Sequence, residues 1–324
     1  MILSSDPLPY WKLHRGNNRF FFNGKCTISW NIVPFLLTFF LTCTTIIASF
    51  VYDVPFIYEK MGIAFPFCNA ALSLLVIASL CKTTFTDPGI IPRATSAELT
   101  DEEQFDEKYG MQMKIPSPIM HQVLNHQVTV KFCTTCKIFR PPRSAHCAIC
   151  NNCVDCFDHH CPWISSCIGR RNYRDFFIYI TSLTLLTCSI FICSVYHIVH
   201  CTKSQTTSEF FMKNPGTSLT LSLPAIVLLP VSMLLAYHIF LSWHNLTTRE
   251  QVKDFPFKKK ERNLVNSINP YSKKSGFANI VYIFFSPRTP SMMTKNTNTV
   301  SVIDFSKLPA IPPASQCREN NFKV

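Results

Sequence analysis

The sequence predicts an α-helical polytopic membrane protein: four transmembrane helices with a cytosolic cysteine-rich domain between helices 2 and 3. Three observations predict it. Only 15% of the 324 residues are charged and 47% are hydrophobic, whereas an ordinary soluble domain carries about 25% charged residues, so the chain lacks the surface of a water-soluble globule. Four apolar runs contain no charged residue and are long enough to cross a bilayer. Half of the 16 cysteines crowd into one stretch between the second and third runs. In so long and apolar a chain, that clustering points to metal or thiol chemistry rather than a small disulfide scaffold.

Each element follows in order. Residues 1–29 form a polar N-terminus with no apolar stretch that would read as a cleavable signal peptide. The first span, 30–52, holds 23 uncharged residues, about 34 Å of helix against a hydrocarbon core of about 30 Å. A short loop, 53–61, leads to the second span, 62–81, which carries Pro66. The long loop 82–175 begins with a mixed polar stretch, 94–128, whose acidic run (Glu98, Asp101, Glu102, Glu103, Asp106, Glu107) reads as a solvated linker; the cysteine-rich domain, 131–181, follows. The third span is 176–199, a second short loop is 200–218, and the fourth span is 219–243. Pro224 and Pro230 inside the fourth span suggest a helix packed against neighbours that satisfy the freed carbonyls. The region 244–324 completes the chain, with a Ser/Thr/Asn/Pro-rich composition that predicts disorder from about 292. No internal repeat is visible.

The distribution of Lys and Arg sets the orientation. Residues 1–29 hold four, 82–175 hold eleven and 245–324 hold thirteen, whereas the two short loops share Lys60, Lys203 and Lys213. Twenty-eight against three places both termini and the long loop in the cytosol and the loops 53–61 and 200–218 on the luminal side. The net charge of +12 is thereby mostly a topology signal, and a nucleic-acid partner is not needed to explain it. Asn245-Leu246-Thr247 matches a glycosylation acceptor but falls on the cytosolic side.

Between Cys133 and Cys167 lie eight cysteines, interleaved with His146, His159 and His160. The pairs Cys133/Cys136 and Cys147/Cys150 have the spacing with which one tight turn presents two thiolates to a tetrahedral zinc ion. Disulfides compete for these residues, but a cytosolic loop is kept reduced. Two closed sites of three Cys and one His would use eight of the eleven Cys and His residues and leave three over. The run Phe157-Asp158-His159-His160-Cys161-Pro162-Trp163 supplies a thiol, an imidazole to take its proton and a carboxylate to orient the imidazole, which is the equipment of an activated nucleophile.

Together these residues carry a resemblance. Cys133-x2-Cys136, Arg140-Pro141-x-Arg143, His146-Cys147-x2-Cys150-x2-Cys153, Asp158-His159-His160-Cys161-Pro162-Trp163 and Cys167-x4-Asn172 resemble the cysteine-rich domain of DHHC protein S-acyltransferases (palmitoyltransferases). Asp87-Pro88-Gly89, Thr247-Thr248-x-Glu250 and Asn269-Pro270-Tyr271 with Asn279 extend the resemblance over most of the chain. Gly16-Asn17-Asn18-Arg19-Phe20, Lys137-Ile138-Phe139-Arg140-Pro141-Pro142-Arg143 and Asn269-Pro270-Tyr271-Ser272 are most similar to the subfamily associated with Ras-type substrates. Two departures stand out: Ser165-Ser166 before Cys167, where the family usually has Asn in the second position, and the extra Cys156.

The resemblance implies two structural zinc ions, one held by Cys133, Cys136, His146 and Cys153 and the other by Cys147, Cys150, His160 and Cys167. It implies that Cys161 attacks the thioester of an acyl-CoA (palmitoyl-CoA), with His159 as base and Asp158 orienting it, and that a substrate cysteine then takes the acyl chain. Trp163 would cap an acyl cavity between the helices, and Leu186 falls where the family tunes chain length, although packing accounts for it equally well. Arg140, Arg143, Arg170, Arg171 and Arg174 would meet the phosphates of CoA or serve as interfacial anchors. Implied partners are the bilayer, cytosol-facing proteins with membrane-proximal cysteines, Ras-like proteins among them, and, as for some members of that subfamily, a small accessory protein. The expected residence is the Golgi or endoplasmic reticulum, with the plasma membrane as the further alternative.

Two other readings compete. A membrane-tethered zinc module that only binds partners would leave Cys161 inert, which the Asp-His-His-Cys run beside a span argues against. A transporter or channel would need charged groups in its spans, where the sequence offers His197 and His238. Outside the loop, Cys43, Cys68, Cys81, Cys188 and Cys193 read as small apolar packers, and nothing selects Cys26, Cys81, Cys201 or Cys317 for lipidation.

Overall fold

A computed structural model of the chain describes residues 8–95, 115–123, 126–254, 269–273 and 275–297. Among the described residues, four helices are long and apolar enough to cross a membrane: Val33–Met61, Ala64–Phe85, Tyr173–Cys201 and Pro215–His244. They correspond to the four predicted spans, but each continues past the end of its apolar run. In lipid, backbone groups must be paired within the segment, so a helix persists until water or a capping residue can take over.

The first span shows this most clearly. Its α-helical part, Val33–Ala48, passes into a π-helical turn at Ser49–Asp53 and resumes as Val54–Met61, ending at Gly62 with φ +76°, a conformation that favours glycine. Residues 53–61, expected as a loop, are therefore helix. Asp53 is wholly buried there, so the expectation of spans free of charged residues is corrected. Its Oδ1 accepts from His197 Nδ1 (2.9 Å) and Thr217 Oγ1 (2.8 Å), and its Oδ2 accepts from Ser194 Oγ (2.9 Å) and Thr220 Oγ1 (2.6 Å). Four donors from the third and fourth spans allow a carboxylate to lie where water is absent.

The third span lies between the second and the fourth and is the most buried of the four. The fourth is the least buried, even though it contains both prolines. Pro224 is buried, as the packing expectation requires, whereas Pro230 faces outward. The loop 200–218 contains a further short helix, Thr207–Lys213, started by a capping box of Thr206 and Glu209.

Short strands gather at the opposite end of the spans from Asp53. β1 (Asn18–Phe21) and β2 (Cys26–Ser29) form an N-terminal hairpin, and β3 (Ile90–Ile91) follows the second span. β4 (Ile119–Val123) and β5 (His126–Val130) form a hairpin that begins within the stretch 94–128 expected as a solvated linker and runs past its end. The cysteine-rich region supplies β6 (Phe132–Cys133), β7 (Ile138–Phe139), β8 (Ala145–Cys147), β9 (Asn152–Val154), β10 (His159–Cys161) and β11 (Ser166–Ile168). β9 lies between β3 and β8, all antiparallel, while β6 pairs with β7 and β10 with β11. The helix Gly276–Phe285 packs on the fourth span.

Residues 292–297, at the start of the stretch expected to be disordered, lie against the N-terminus. Met293 is buried, the Tyr10 amide donates to the Lys295 carbonyl (3.0 Å), and Asn296 bridges to Pro9. The acidic run Glu98 to Glu107, Cys317 and the remainder of the tail lie outside the described residues. The main core joins the first three spans to the cysteine-rich region: Phe35, Val76, Leu80, Phe176 and Ile180 pack with Ile164, Ile168 and Cys161.

Candidate active site and metal centres

Alternation along two short strands builds the whole site. Successive side chains of a strand point to opposite faces, so His146 and the adjacent Cys147 on β8 serve different clusters. Across the β8–β9 ladder His146 faces Cys153, and across β10–β11 His160 faces Cys167. Each cross-strand pair is joined by a Cys-x2-Cys turn: Cys133 and Cys136 for the first cluster, Cys147 and Cys150 for the second. The ligand atoms of each four-residue set lie within 4.8 Å of one another.

These distances fit zinc. Tetrahedral arms of about 2.3 Å to sulfur and about 2.0 Å to nitrogen place S and N about 3.6 Å apart. His146 Nδ1 lies 3.5, 3.4 and 3.9 Å from the sulfurs of Cys133, Cys136 and Cys153. His160 Nδ1 lies 3.8, 3.4 and 3.6 Å from those of Cys147, Cys150 and Cys167. Thiols this close cannot ionise independently. Hydrogen bonds from Cys136 and Cys153 pull Cys133 down, and in return Cys136 is pushed up to about 11, chiefly by Cys133. In the second cluster Cys147 is likewise pulled down and Cys150 pushed up to about 12. A divalent cation between them removes that conflict. Both sets supply four protein ligands, which is the composition of closed structural sites.

The alternation that turns His160 toward the second cluster turns His159 and Cys161 the other way. Asp158, buried at the base of β10, accepts a hydrogen bond from His159 Nδ1 through Oδ2 (2.6 Å) and one from the Thr248 amide through Oδ1 (2.8 Å). Burial opposes a charge on Asp158, but the hydrogen bonds from His159 and Thr248 hold its carboxyl below the usual range. Burial also opposes an imidazolium, yet the hydrogen bonds of His159 to Asp158 and Cys161 raise it to about 9. These contacts favour the protonated imidazole, which faces the Cys161 side chain. Cys161 is buried in the core formed with the first three spans. Trp163, one short turn later, is 61% exposed, and Leu186 is buried in the same core as Cys161.

The structure reassigns most of the arginines. Arg143 holds Glu250 bidentately (Nε–Oε1 2.8 Å, Nη2–Oε2 2.7 Å), donates to Asn245 Oδ1 and to the Asn245 carbonyl (both 3.0 Å), and lies over the Tyr271 ring. Four of its N–H donors are engaged and one face lies over a ring, which favours a structural task over contact with a ligand phosphate. Arg170 pairs with Asp155, Arg171 with Asp87, and Arg174 donates to the Ser286 carbonyl. Arg140 remains half-buried near the surface, its Nε donating to the Lys131 carbonyl (3.4 Å).

The Arg143 contact explains motifs that spacing alone left without a task. The Glu250 Oε2 accepts from the Thr247 amide (2.8 Å) and the Glu250 amide donates to Thr247 Oγ1 (3.2 Å), so the turn after the fourth span is self-capped and presents the Thr248 amide to Asp158. Asn269 donates to the His244 carbonyl and Asn279 to the Trp243 carbonyl, which ties the C-terminal segment to the end of the same span. Asp87 accepts from the amides of Gly89 and Ile90 and pairs with Arg171. Replacing Arg143 by alanine strands the nearly buried Glu250 carboxylate, and a stability loss of about 3–5 kcal/mol is expected. The drop would appear as a lower melting temperature in detergent together with slower acylation, and Arg143→Lys would recover little because a lysine cannot form the fork.

The departures have local explanations. Ser165 takes φ +50°, and its Oγ accepts from the Phe35 amide (3.2 Å) at the start of the first span. Ser166 is buried opposite Cys161 on β11. Cys156 lies among Arg170, Arg143, Asp155 and Glu250, and burial pushes its thiol up. His238 is a site neighbour for which sequence reasoning found no use: one of its ring nitrogens lies within 4.8 Å of ligand atoms of Asp158 and His159. These three do not form a third metal centre, because Asp158 and His159 direct their facing atoms at each other.

A thiol, an imidazole and a carboxylate brought together beside the second cysteine-histidine cluster, at one end of a helical membrane domain, define a membrane-embedded transferase that works through a thiol. Residues 126–254 match the family of DHHC palmitoyltransferases. The chain is 37% identical over 295 residues to Palmitoyltransferase ZDHHC18 of Mus musculus, covering 90% of this chain and 77% of that protein. It has the same identity over 295 residues to the Homo sapiens protein of that name, covering 90% and 76%. To Palmitoyltransferase ZDHHC14 of Mus musculus it is 35% identical over 290 residues, covering 88% and 59%. The chain belongs to the DHHC palmitoyltransferase family and is a protein S-palmitoyltransferase.

Proposed function

We propose that the enzyme moves a long-chain acyl group from acyl-CoA to cysteines of target proteins through a thioester on Cys161. The observation that carries this reading is the Asp158–His159–Cys161 alignment on β10, with the 2.6 Å carboxylate–imidazole contact. In the first half-reaction the Cys161 thiolate attacks the acyl carbonyl and CoA leaves as a thiolate, which takes the proton that His159 holds. In the second, a substrate thiol gives its proton to His159, attacks the Cys161 thioester and releases the Cys161 thiolate. Zinc at the two clusters supplies fastening rather than an activated water, since each set is complete with protein ligands.

Trp163, exposed beside Cys161, suits a cap over the thioester, and Leu186 suits a contact along the acyl chain. Arg140 is the arginine of the motif left to meet a CoA phosphate. The charge distribution, 28 basic residues against three, supports cytosolic termini and a cytosolic active site in a Golgi or endoplasmic reticulum membrane, with the plasma membrane as the alternative. Targets are cytosol-facing proteins with membrane-proximal cysteines, Ras-like proteins among them, and a small accessory protein is a further partner of this reading.

Incubation with labelled palmitoyl-CoA is expected to give a hydroxylamine-labile adduct on the enzyme that chases into an added substrate cysteine. Direct transfer without an adduct would refute the two-step reaction. Asp158→Asn is expected to slow adduct formation by roughly 10²- to 10⁴-fold, because an amide both loses the charge and can hold the imidazole in the wrong tautomer. The rate of adduct formation, read at unchanged zinc content, checks this.

A further inference from the structure

We infer that His238, a histidine buried in the fourth span, is a positioning residue for acyl transfer: it forms the wall against which the His159 imidazole is held facing Cys161. The inference deepens the two-step reading above and rests on it. An ionisable side chain inside a membrane helix is costly wherever an aliphatic one would pack as well, and His238 is only 1% exposed. It is fixed from its own side. Nδ1 meets the Tyr173 hydroxyl at 3.2 Å, and that hydroxyl meets Ser242 Oγ at 3.1 Å, so the third and fourth spans jointly set the ring's orientation.

From that anchor the ring reaches the catalytic couple. Its centroid is 5.9 Å from that of His159, and Phe176 stands edge-on to both, 5.4 Å from His159 and 5.0 Å from His238. Asp158 fixes one edge of His159 through Nδ1 and Cys161 meets the ring as well, but these in-plane contacts leave the ring free to swing about the line that joins them. Phe176 and His238 close off the swing. The fourth span and the turn after it thus act on the couple at two points, through the His238 ring on His159 and through the Thr248 amide on Asp158.

The test is the rate of labelled-palmitoyl adduct formation by the full-length enzyme in detergent, with palmitoyl-CoA varied. His238→Ala is expected to lower the maximal rate about 10- to 100-fold, the scale on which a displacement near 1 Å acts, with KM for palmitoyl-CoA and zinc content unchanged. His238→Phe, which restores the wall without the nitrogen, is expected to bring the rate back to within several-fold of wild type, the remaining deficit matching the lost Tyr173 hydrogen bond. Tyr173→Phe removes one hydrogen bond with little change of volume and keeps the test open if the alanine variant does not fold; it is expected to lower the rate several-fold at unchanged KM. Wild-type rates in both His238→Ala and Tyr173→Phe, or a phenylalanine variant no better than alanine, would overturn the inference. Failure of the wild-type enzyme to form any adduct would overturn the two-step reading instead.

Discussion

Cys161→Ser enzyme is expected to form no hydroxylamine-labile adduct with labelled palmitoyl-CoA, and its transfer activity to fall below about one-thousandth of wild type. Sulfur and oxygen occupy similar space, so the strand and both metal clusters should survive the change. The loss comes from chemistry. A thiol beside an imidazole can be held as a thiolate, whereas a serine hydroxyl in the same place stays protonated, and the contact with the Cys161 sulfur that favours the protonated imidazole is lost with it. Any ester that did form on serine would resist hydroxylamine at neutral pH, so the chemical lability of the adduct distinguishes residual serine acylation from reaction at another cysteine. Wild-type labelling of the serine variant would place the nucleophile elsewhere and sink the assignment.

Removal of metal is expected to have the second large effect. Structural zinc in small domains contributes apparent binding energies of about 10–16 kcal/mol, and the cysteine-rich region has little else to hold it: its strands are two or three residues long, and the cores around the clusters consist largely of the ligand cysteines with a few neighbours. Purified enzyme should contain two zinc ions per chain. Cys150→Ala should lose the second and with it the acyl adduct, because His160 and Cys161 are adjacent on one strand and the nucleophile cannot keep its place once the strand is released. A strong chelator should likewise abolish adduct formation while leaving the helical content of the spans in place, which circular dichroism can read. Full activity of metal-free protein would refute the fastening role.

How much of this could be read in advance depended on the range of the forces involved. Spans are written locally, as absence of charge over a helix length, and all four were legible. Their ends were not, because the partners of Asp53 lie in two later helices and no local property of residues 49–61 announces them. The two ligand sets were legible as a pair of Cys-x2-Cys turns plus a resemblance; the reason they separate cleanly, alternation on β8 and β10, appears once the strands are placed. Arg143 is the instructive case. A guanidinium in a basic motif near an active cysteine suits a phosphate, but its actual partner, Glu250, lies 107 residues away. His238 was visible as an oddity in a span, without a neighbour to explain it. The packing near Met293 was hidden for the same reason, since that segment is held by the N-terminus.

Asp53 bears on how such a chain is made. The ribosome delivers this carboxylate to the membrane with the first helix, while Ser194 and His197 arrive with the third and Thr217 and Thr220 with the fourth. Until the last helix is inserted, the acid has an incomplete set of donors, and the first helix cannot settle at its final depth. The Asp53 end of the bundle therefore gains its full set of donors only once the fourth helix is in place.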